Sequence, residues 1–189
     1  MTLTMITGGA RSGKSAYGVA LAQTLARGRP VFFVATAQPL DEEMAQRIRR
    51  HRQLRPPEWV TIEEPLHPAQ AIESRVPSGA VVVLDCLTTW LGNLFHHQLG
   101  ETGPHSSRQA EELRRLALAE TDALCRLPYS RALDLVVITN EVGLGLVPES
   151  PLARLYRDLL GEVNQVLARQ ADRLVLMVAG IPLAVKNNP

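Results

Sequence analysis

A glycine-rich segment near the N-terminus has the composition of a phosphate-binding loop. Residues 8–15 read GGARSGKS, which satisfies the pattern G-x-x-x-x-G-K-[ST] between an apolar run and a helical pattern, a context that a chance glycine turn would lack. Glycines let backbone N–H groups surround a phosphate, and the helix adds its positive N-terminus. Lysine reaches the β- and γ-phosphate oxygens, and the serine hydroxyl ligates Mg²⁺. The predicted nucleotide contacts are Gly8, Gly9, Ala10, Arg11, Ser12, Gly13, Lys14 and Ser15, with Ser15 also a metal ligand.

Carboxylates follow two of the apolar runs. Asp85 ends the run VVVLD, and Glu141 ends the polar group Thr-Asn-Glu at residues 139–141. Because strand ends of a parallel sheet converge on the ligand crevice, we expect Asp85 to contact metal or nucleotide, and we extend this to residues 139–141. The alternative for Asp85 is an ordinary acid at the start of the next helix. Residues 142–148 form a glycine-hinged loop, which we interpret as a lid or wall over that crevice.

A second candidate site lies in residues 47–55, RIRRHRQLR. The whole chain is nearly neutral, so general basicity does not explain this cluster. A solvated helical face, a nucleic-acid patch and a polyphosphate-binding site all remain open, although the cluster lacks the interleaved aromatic residues of a nucleic-acid surface. The cluster holds His51 among Arg47, Arg49, Arg50, Arg52 and Arg55.

The histidine favours the polyphosphate interpretation. Nearby cations disfavour a second positive charge, so we expect the imidazole of His51 to stay neutral near pH 7. A neutral imidazole is a competent nucleophile, and arginines stabilise charge that builds on an attacked phosphate. The other histidines lack such surroundings, and we expect them at the surface; they are His67, His96, His97 and His105.

The order of apolar runs and helical patterns predicts the fold. Short, nearly uncharged runs are typical of buried parallel strands, and amphipathic segments alternate with them. The predicted class is α/β: a three-layer fold like that of the P-loop NTPases, with a mostly parallel central sheet flanked by helices, in one domain over residues 1–189. The predicted strands are 2–7, 31–35, 81–85, 134–139 and 173–178, the helices are 14–27, 41–54, 109–127 (ending before Pro128) and 151–169, and 99–108 is an exposed loop.

Composition excludes several classes of protein. The formal charge of +1 over 189 residues provides no field that attracts nucleic acid or anionic membranes, and aromatic residues are only 4%, too few for a base-stacking surface. The longest uncharged apolar stretch, residues 174–185, is too short to span a membrane, and the N-terminus lacks the basic region of a signal peptide. Cys86 and Cys125 are isolated, which favours free thiols in the cytoplasm.

With these residues assembled, the chain resembles the bifunctional adenosylcobinamide kinase/adenosylcobinamide-phosphate guanylyltransferase family of cobalamin biosynthesis. The resemblance covers essentially the whole length. A phosphate-binding loop alone is common to many families, whereas the combination of TNEVGLGLVPE (139–149) with RDLLGEVNQ (157–165) is specific. The matching segments are GGARSGKS (8–15), ATAQPLDEEMAQRI (35–48), HRQLRPPEW (51–59), DCLTTWLGNL (85–94), TNEVGLGLVPESPLARLYRDLLGEVNQ (139–165) and VAGIP (178–182).

The resemblance implies a two-step activity. Members phosphorylate the hydroxyl of adenosylcobinamide with ATP or GTP, then transfer GMP from GTP to that phosphate through a guanylylated histidine, releasing pyrophosphate. By position this histidine is His51, Mg²⁺ is the cofactor, and the enzyme is a homo-oligomer, often a trimer. The implied nucleotide contacts are residues 8–15, Thr36, Ala37, Gln38, Arg52, Gln53, Leu54, Arg55, Glu63 and Asp85, with Glu63 as a candidate for the guanine edge and Asp85 as a metal ligand.

The chain departs from the family pattern at two positions. Arg50 replaces a second histidine that some members carry, and Asp85 replaces a glutamate in others.

Three rival functions remain. A simple small-metabolite kinase would not depend on His51. A nucleic-acid-stimulated ATPase would show salt-dependent affinity for oligonucleotides, which the near-neutral charge disfavours. A noncatalytic nucleotide sensor would not need the intact loop with Lys14, Ser15 and a strand-end acid.

Overall fold

The computed structural model describes residues 1–53, 55–100, 103–104 and 106–187, except for the side chain of Arg47. Short β-branched and apolar runs form strands, and longer amphipathic segments form helices between them. The strands are β1 (Leu3–Gly8), β2 (Val31–Ala35), β3 (Val60–Glu63), β4 (Val81–Asp85), β5 (Asp134–Ile138), β6 (Arg173–Val178) and β7 (Ile181–Asn187). The helices are α1 (Lys14–Ala26), α2 (Glu42–Gln53), α3 (Pro68–Arg75), α4 (Leu87–Leu99), α5 (Ser107–Ser130) and α6 (Pro151–Gln170).

The strands form one sheet in the order β3-β2-β4-β5-β1-β6-β7. Every pairing is parallel except that of β6 with β7, which is antiparallel. Strands β1, β2 and β5 are buried along their whole length, as expected for strands covered on both faces. The carboxyl ends of β1, β2, β4 and β5 therefore lie along one edge, where the phosphate-binding loop, Thr36, Asp85 and residues 139–141 follow them.

Helices cover both faces of the sheet, which confirms the predicted α/β class. On one face α1 packs over a cluster that includes Phe33, Val83 and Ile138. On the other face α3, α4, α5 and α6 pack over a larger cluster that includes Trp90 and Leu135. Helix α2 belongs to neither cluster, and its described side chains are exposed or half-buried. The helix that carries the arginines and His51 thus lies at the surface.

The structure differs from the sequence prediction in several elements. Strands β3 and β7 and helices α3 and α4 were not predicted, and α5 was wrongly expected to end before Pro128. Proline removes one backbone donor, but Leu127 and Pro128 are buried, and Arg131 N donates to Leu127 O at 2.9 Å, so packing carries the helix on to Ser130.

The connection between α4 and α5 corrects a second boundary. Residues 99–108 were predicted as an exposed loop, yet Leu99 is the buried last residue of α4 and α5 begins at Ser107. His105 lies outside the described residues. None of the described helices combines the length and the apolar character that crossing a membrane requires.

Candidate active site

The phosphate-binding loop connects β1 to α1 and requires glycine at two positions. Gly8 has φ +148°, and a Cβ there would lie 2.5 Å from the carbonyl oxygen of Met177 in β6. Gly13, at φ +94°, is the N-cap of α1 and contributes no capping side chain. The first amides of α1 are therefore left to hydrogen-bond an anion, and the helix dipole favours the same charge.

Lys14 is buried within the loop. Its Nζ donates to Gly8 O at 2.9 Å and Gly9 O at 2.6 Å. The chain has two lysines, Lys14 and Lys186. The ammonium group of Lys14 is bound to carbonyl oxygens of the loop, and a bound phosphate would take the place of these oxygens as its partner. Arg11, at φ 56°, is exposed at the tip of the loop with Ala10 and Gly9.

Three of the predicted functional residues meet in one cavity. Ser15 at the start of α1, His51 near the end of α2 and Asp85 at the end of β4 line a cavity of about 210 Å³. They are far apart in sequence, so only the convergence of three elements at the carboxyl edge of the sheet brings them together. The arrangement places a hydroxyl, an imidazole and a carboxylate around one space beside the phosphate-binding loop.

His51 faces a carboxylate in this cavity. Its Nδ1 lies 3.8 Å from Asp85 Oδ2, and its side chain is 35% exposed, whereas that of Asp85 is 11% exposed. The ring is therefore neither sealed in an apolar interior nor detached from the nucleotide loop. With Nδ1 turned toward Asp85, Nε2 is the nitrogen left to react, since the two ring nitrogens point in different directions.

The arginines around His51 have separate partners. Arg49 pairs with Glu42 at 2.6 Å, and Arg52 pairs with Glu63. Arg50 is exposed, and Arg47's side chain lies outside the described residues. The prediction of an imidazole surrounded by guanidinium groups is thus incomplete, because the sequence did not show that Asp85 would lie beside the ring.

Arg55 contacts a residue of the cavity wall. Its guanidinium carbon lies 3.6 Å from the centre of the buried Phe33 ring, a cation–π contact. Burial lowers the pKa of Arg55 to about 10, although the Asp85 carboxylate acts in the opposite direction. At pH 7 the group remains protonated. Its buried Nε has no hydrogen-bond partner in the described structure.

The remaining predicted nucleotide contacts occupy different environments. Thr36 is fully buried, and its hydroxyl donates to Cys86 O at 2.8 Å and accepts from Cys86 N at 3.0 Å, so it fixes the chain next to Asp85. Ala37 is half-buried and Gln38 is exposed. Gln53 is exposed at the end of α2, Leu54 lies outside the described residues, and the Glu63 carboxylate is engaged by Arg52.

A buried polar network fixes the segment after β5. Thr139 Oγ1 donates to Asn164 Oδ1 at 2.8 Å, and Asn164 Nδ2 donates to Asn140 O at 3.0 Å. Asn140 N donates to Thr88 Oγ1 at 2.8 Å. Both backbone groups of Asn140 are therefore held by side chains from α4 and α6. Such a network gives the strand end a single position.

Beyond this network the chain becomes exposed. Glu141 N donates to Gly8 O at 3.1 Å, which joins the segment to the phosphate-binding loop. The next turns expose Leu144 (85%), Leu146 (96%) and Val147 (65%). Exposed apolar side chains this close together are typical of a surface that contacts a ligand or partner. The lid role of residues 142–148 stays a prediction.

Sequence reasoning missed the apolar wall of the cavity. This wall comes from one face of α1 and from Phe33 of β2. From its apolar run, Phe33 is predicted only as a core residue, because nothing in that strand indicates that an arginine stacks on its ring. The face of α1 could have been found from the sequence. Residues 15, 19 and 23 follow one another at four-residue intervals, as do residues 16 and 20, so all five lie on the side of the helix that carries Ser15. The additional lining residues are Ala16, Val19, Ala20, Gln23 and Phe33.

Comparison with known proteins identifies the family. Residues 4–185 match the family described as cobinamide kinase / cobinamide phosphate guanyltransferase. The chain belongs to this family. Its members are transferases of cobalamin biosynthesis, and the match includes the phosphate-binding loop, the cavity residues and the segment after β5.

Relatives of similar length support this assignment. The bifunctional adenosylcobalamin biosynthesis protein CobU of Escherichia coli is 40% identical over 96% of this chain and 98% of its own. CobU of Salmonella typhimurium is 39% identical over the same shares, and CobP of Pseudomonas aeruginosa is 38% identical over 98% of both chains. Among solved structures, the flagellar accessory protein FlaH of Methanocaldococcus jannaschii shows a loose likeness, with a TM-score of 0.48 and 13% identity over 99% of this chain and 79% of its own.

Proposed function

We propose that this chain phosphorylates adenosylcobinamide with ATP or GTP and then transfers GMP from GTP to the resulting phosphate through His51. The observation that carries this proposal is the shared cavity of Ser15, His51 and Asp85. A nucleotide whose phosphates occupy the loop would extend toward His51, so phosphate binding and nucleophilic attack are served by adjoining groups. The products would be adenosylcobinamide-GDP and pyrophosphate.

In the guanylyl transfer, His51 Nε2 attacks the α-phosphorus of GTP. The bond from that phosphorus to the bridging oxygen breaks, pyrophosphate leaves, and GMP is held on the imidazole. A phosphate oxygen of adenosylcobinamide phosphate then attacks the same phosphorus and releases the ring. Asp85, beside Nδ1, stabilises the positive imidazolium phosphoramidate, while the cationic Arg55 stabilises charge on the phosphates.

The residues present also fit a magnesium ion that arrives with the nucleotide. Ser15 and Asp85 offer a hydroxyl and a carboxylate on one cavity, and Mg²⁺ commonly takes one or two such protein ligands together with substrate phosphates and water. Within the described residues no group of three His, Cys, Asp or Glu side chains could bind a metal without a substrate. The bound ion would neutralise phosphate charge.

Labelling with GTP tests the covalent step. Incubation with α-labelled GTP and Mg²⁺ should leave label on the protein, and the bond should be labile in acid and stable in alkali, as phosphoramidates are. GTP labelled only at the γ-phosphate should leave none, which distinguishes guanylylation from phosphorylation. Tight GTP binding without retained α-label would contradict the proposed intermediate.

We propose that the enzyme is a homo-oligomer in the cytoplasm, with the trimer as the expected form, and that each chain is one domain over residues 1–189. All strands in the described part of the chain join one sheet, whose outer strand β7 exposes Ile181, Leu183 and Val185. An unpaired apolar edge of this kind favours association with another chain. The two free cysteines, Cys86 and Cys125, fit a reducing compartment.

Sedimentation velocity tests the association. At micromolar concentration the chain should sediment as an oligomer, and Leu183→Lys should shift it toward the monomer because the charge would be buried in the contact. Leu40→Lys is a matched control, since Leu40 is an exposed leucine (74%) of the connection between β2 and α2 and belongs to neither β7 nor the exposed apolar group at residues 144–147. A monomeric wild-type protein would contradict the proposal.

A further inference from the structure

Glu141 lies beside the phosphate-binding lysine. Its backbone N–H donates to Gly8 O at 3.1 Å, and Lys14 Nζ donates to the same oxygen at 2.9 Å. Two groups that share one acceptor are close neighbours, so the backbone of Glu141 lies beside the lysine that contacts the β- and γ-phosphates in loops of this kind. The sequence predicts that residues 139–141 contact metal or nucleotide, but it assigns no proton transfer to the glutamate.

Hydrogen bonds fix the backbone that carries Glu141. Thr139 N donates to Ile6 O at 2.9 Å, and both backbone groups of Asn140 are held by the side chains of Thr88 and Asn164. Together with the bond to Gly8, these contacts tie three consecutive residues to the sheet and to the phosphate-binding loop. A catalytic side chain needs such support, because small displacements weaken proton transfer and positioning.

The side chain has capacity for a substrate. Glu141 is half-buried, and its Oε1 accepts from Gly143 N at 3.3 Å within the same turn. A carboxylate has about four acceptor positions, so this single bond leaves room for a hydroxyl. Asp85, which ends β4 at the same edge, lies instead beside His51 in the cavity. The two carboxylates therefore have different neighbours.

We propose that Glu141 is the general base of the phosphorylation step, an inference that rests on the proposed function. The Glu141 carboxylate accepts the proton of the substrate hydroxyl while that oxygen bonds to the γ-phosphorus of the nucleotide. The bond from the γ-phosphorus to the β-bridging oxygen breaks, the nucleoside diphosphate leaves, and the proton passes from Glu141 to solvent. In the guanylyl transfer the carboxylate beside the reacting group is that of Asp85, next to His51; as a proposed magnesium ligand, Asp85 also serves the phosphorylation.

The substitution Glu141→Gln tests this division, because it keeps the size and the backbone contacts but removes the basic oxygen. Phosphorylation of adenosylcobinamide by γ-labelled ATP should fall on the order of a hundredfold or more in kcat, with KM for ATP within about threefold of the wild type. Labelling of the same variant by α-labelled GTP should be unchanged. Glu141→Asp should recover part of the lost kcat, and Glu149→Gln, an exposed glutamate of the same loop, is the matched control.

Each outcome has a definite meaning. Unchanged phosphorylation by Glu141→Gln would overturn the assignment, as would a loss confined to KM, which indicates binding. Parallel loss of α-label and phosphorylation would also overturn it, because the carboxylate would then serve the nucleotide site as a whole. Wild-type protein that accepts α-label but does not phosphorylate adenosylcobinamide would contradict the proposed kinase function instead.

Discussion

Replacing His51 with alanine should abolish guanylyl transfer and leave phosphorylation of adenosylcobinamide within a few-fold of wild type. The imidazole is the only nucleophile that the proposed covalent step uses, and its removal should lower transfer from GTP on the order of a thousandfold or more. Phosphorylation should survive because it needs the loop, Lys14 and the acceptor hydroxyl, none of which depends on the ring. Separate assays with adenosylcobinamide and with its phosphate measure the two activities.

The matched control for this substitution is His97→Ala. His97 is exposed on α4 and does not line the cavity, so neither activity should change. His51→Asn, which preserves polarity but not the nucleophile, should behave like the alanine variant. Full guanylyl transfer by His51→Ala would refute the assignment and favour the simpler interpretation, a small-metabolite kinase whose arginine-rich helix only covers the site.

Replacing Lys14 with alanine should impair both activities together. Its ammonium lies 2.9 Å and 2.6 Å from two loop carbonyls and is the buried cation of the loop. Removing it takes a positive charge from the transferring phosphates in a poorly solvated site, and we expect a loss of about a hundredfold in each reaction, on the order of 3 kcal/mol. Steady-state kinetics with γ-labelled ATP and α-labelled GTP measure the two losses.

Lys186→Ala provides the control, since Lys186 is the other lysine of the chain and donates to Ala168 O and Arg169 O at the distant end of α6. Its loss should leave both rates unchanged. Lys14→Met keeps the length of the side chain and should match Lys14→Ala in activity while preserving the thermal midpoint. Undiminished kinetics in a folded Lys14→Ala protein would remove the loop from the mechanism.

Local signals were sufficient for the phosphate-binding loop and most of the sheet. The loop pattern, its preceding strand and its following helix are contiguous, so their geometry follows from neighbouring residues. Runs such as Val81–Asp85 are buried on both faces, and their composition alone distinguishes them from amphipathic helices. By contrast, strand β7 was missed although residues 181–185 are apolar, because Gly180 and Pro182 interrupt the run. The helix end at Pro128 was missed because packing outweighed a local preference.

The sequence by itself determined the family, the α/β class, the nucleotide loop and the identity of His51 as the candidate nucleophile. The loop and the histidine cluster depend on residue types at short spacings, the α/β class on the alternation of apolar runs and helical patterns, and the family on motifs along the whole chain. Only the tertiary structure decided that Asp85 faces the imidazole, that Arg55 stacks on Phe33 and that Glu141 shares an acceptor with Lys14. These contacts join residues from different strands and helices. Their distances depend on how the sheet orders its strands, which no local spacing encodes.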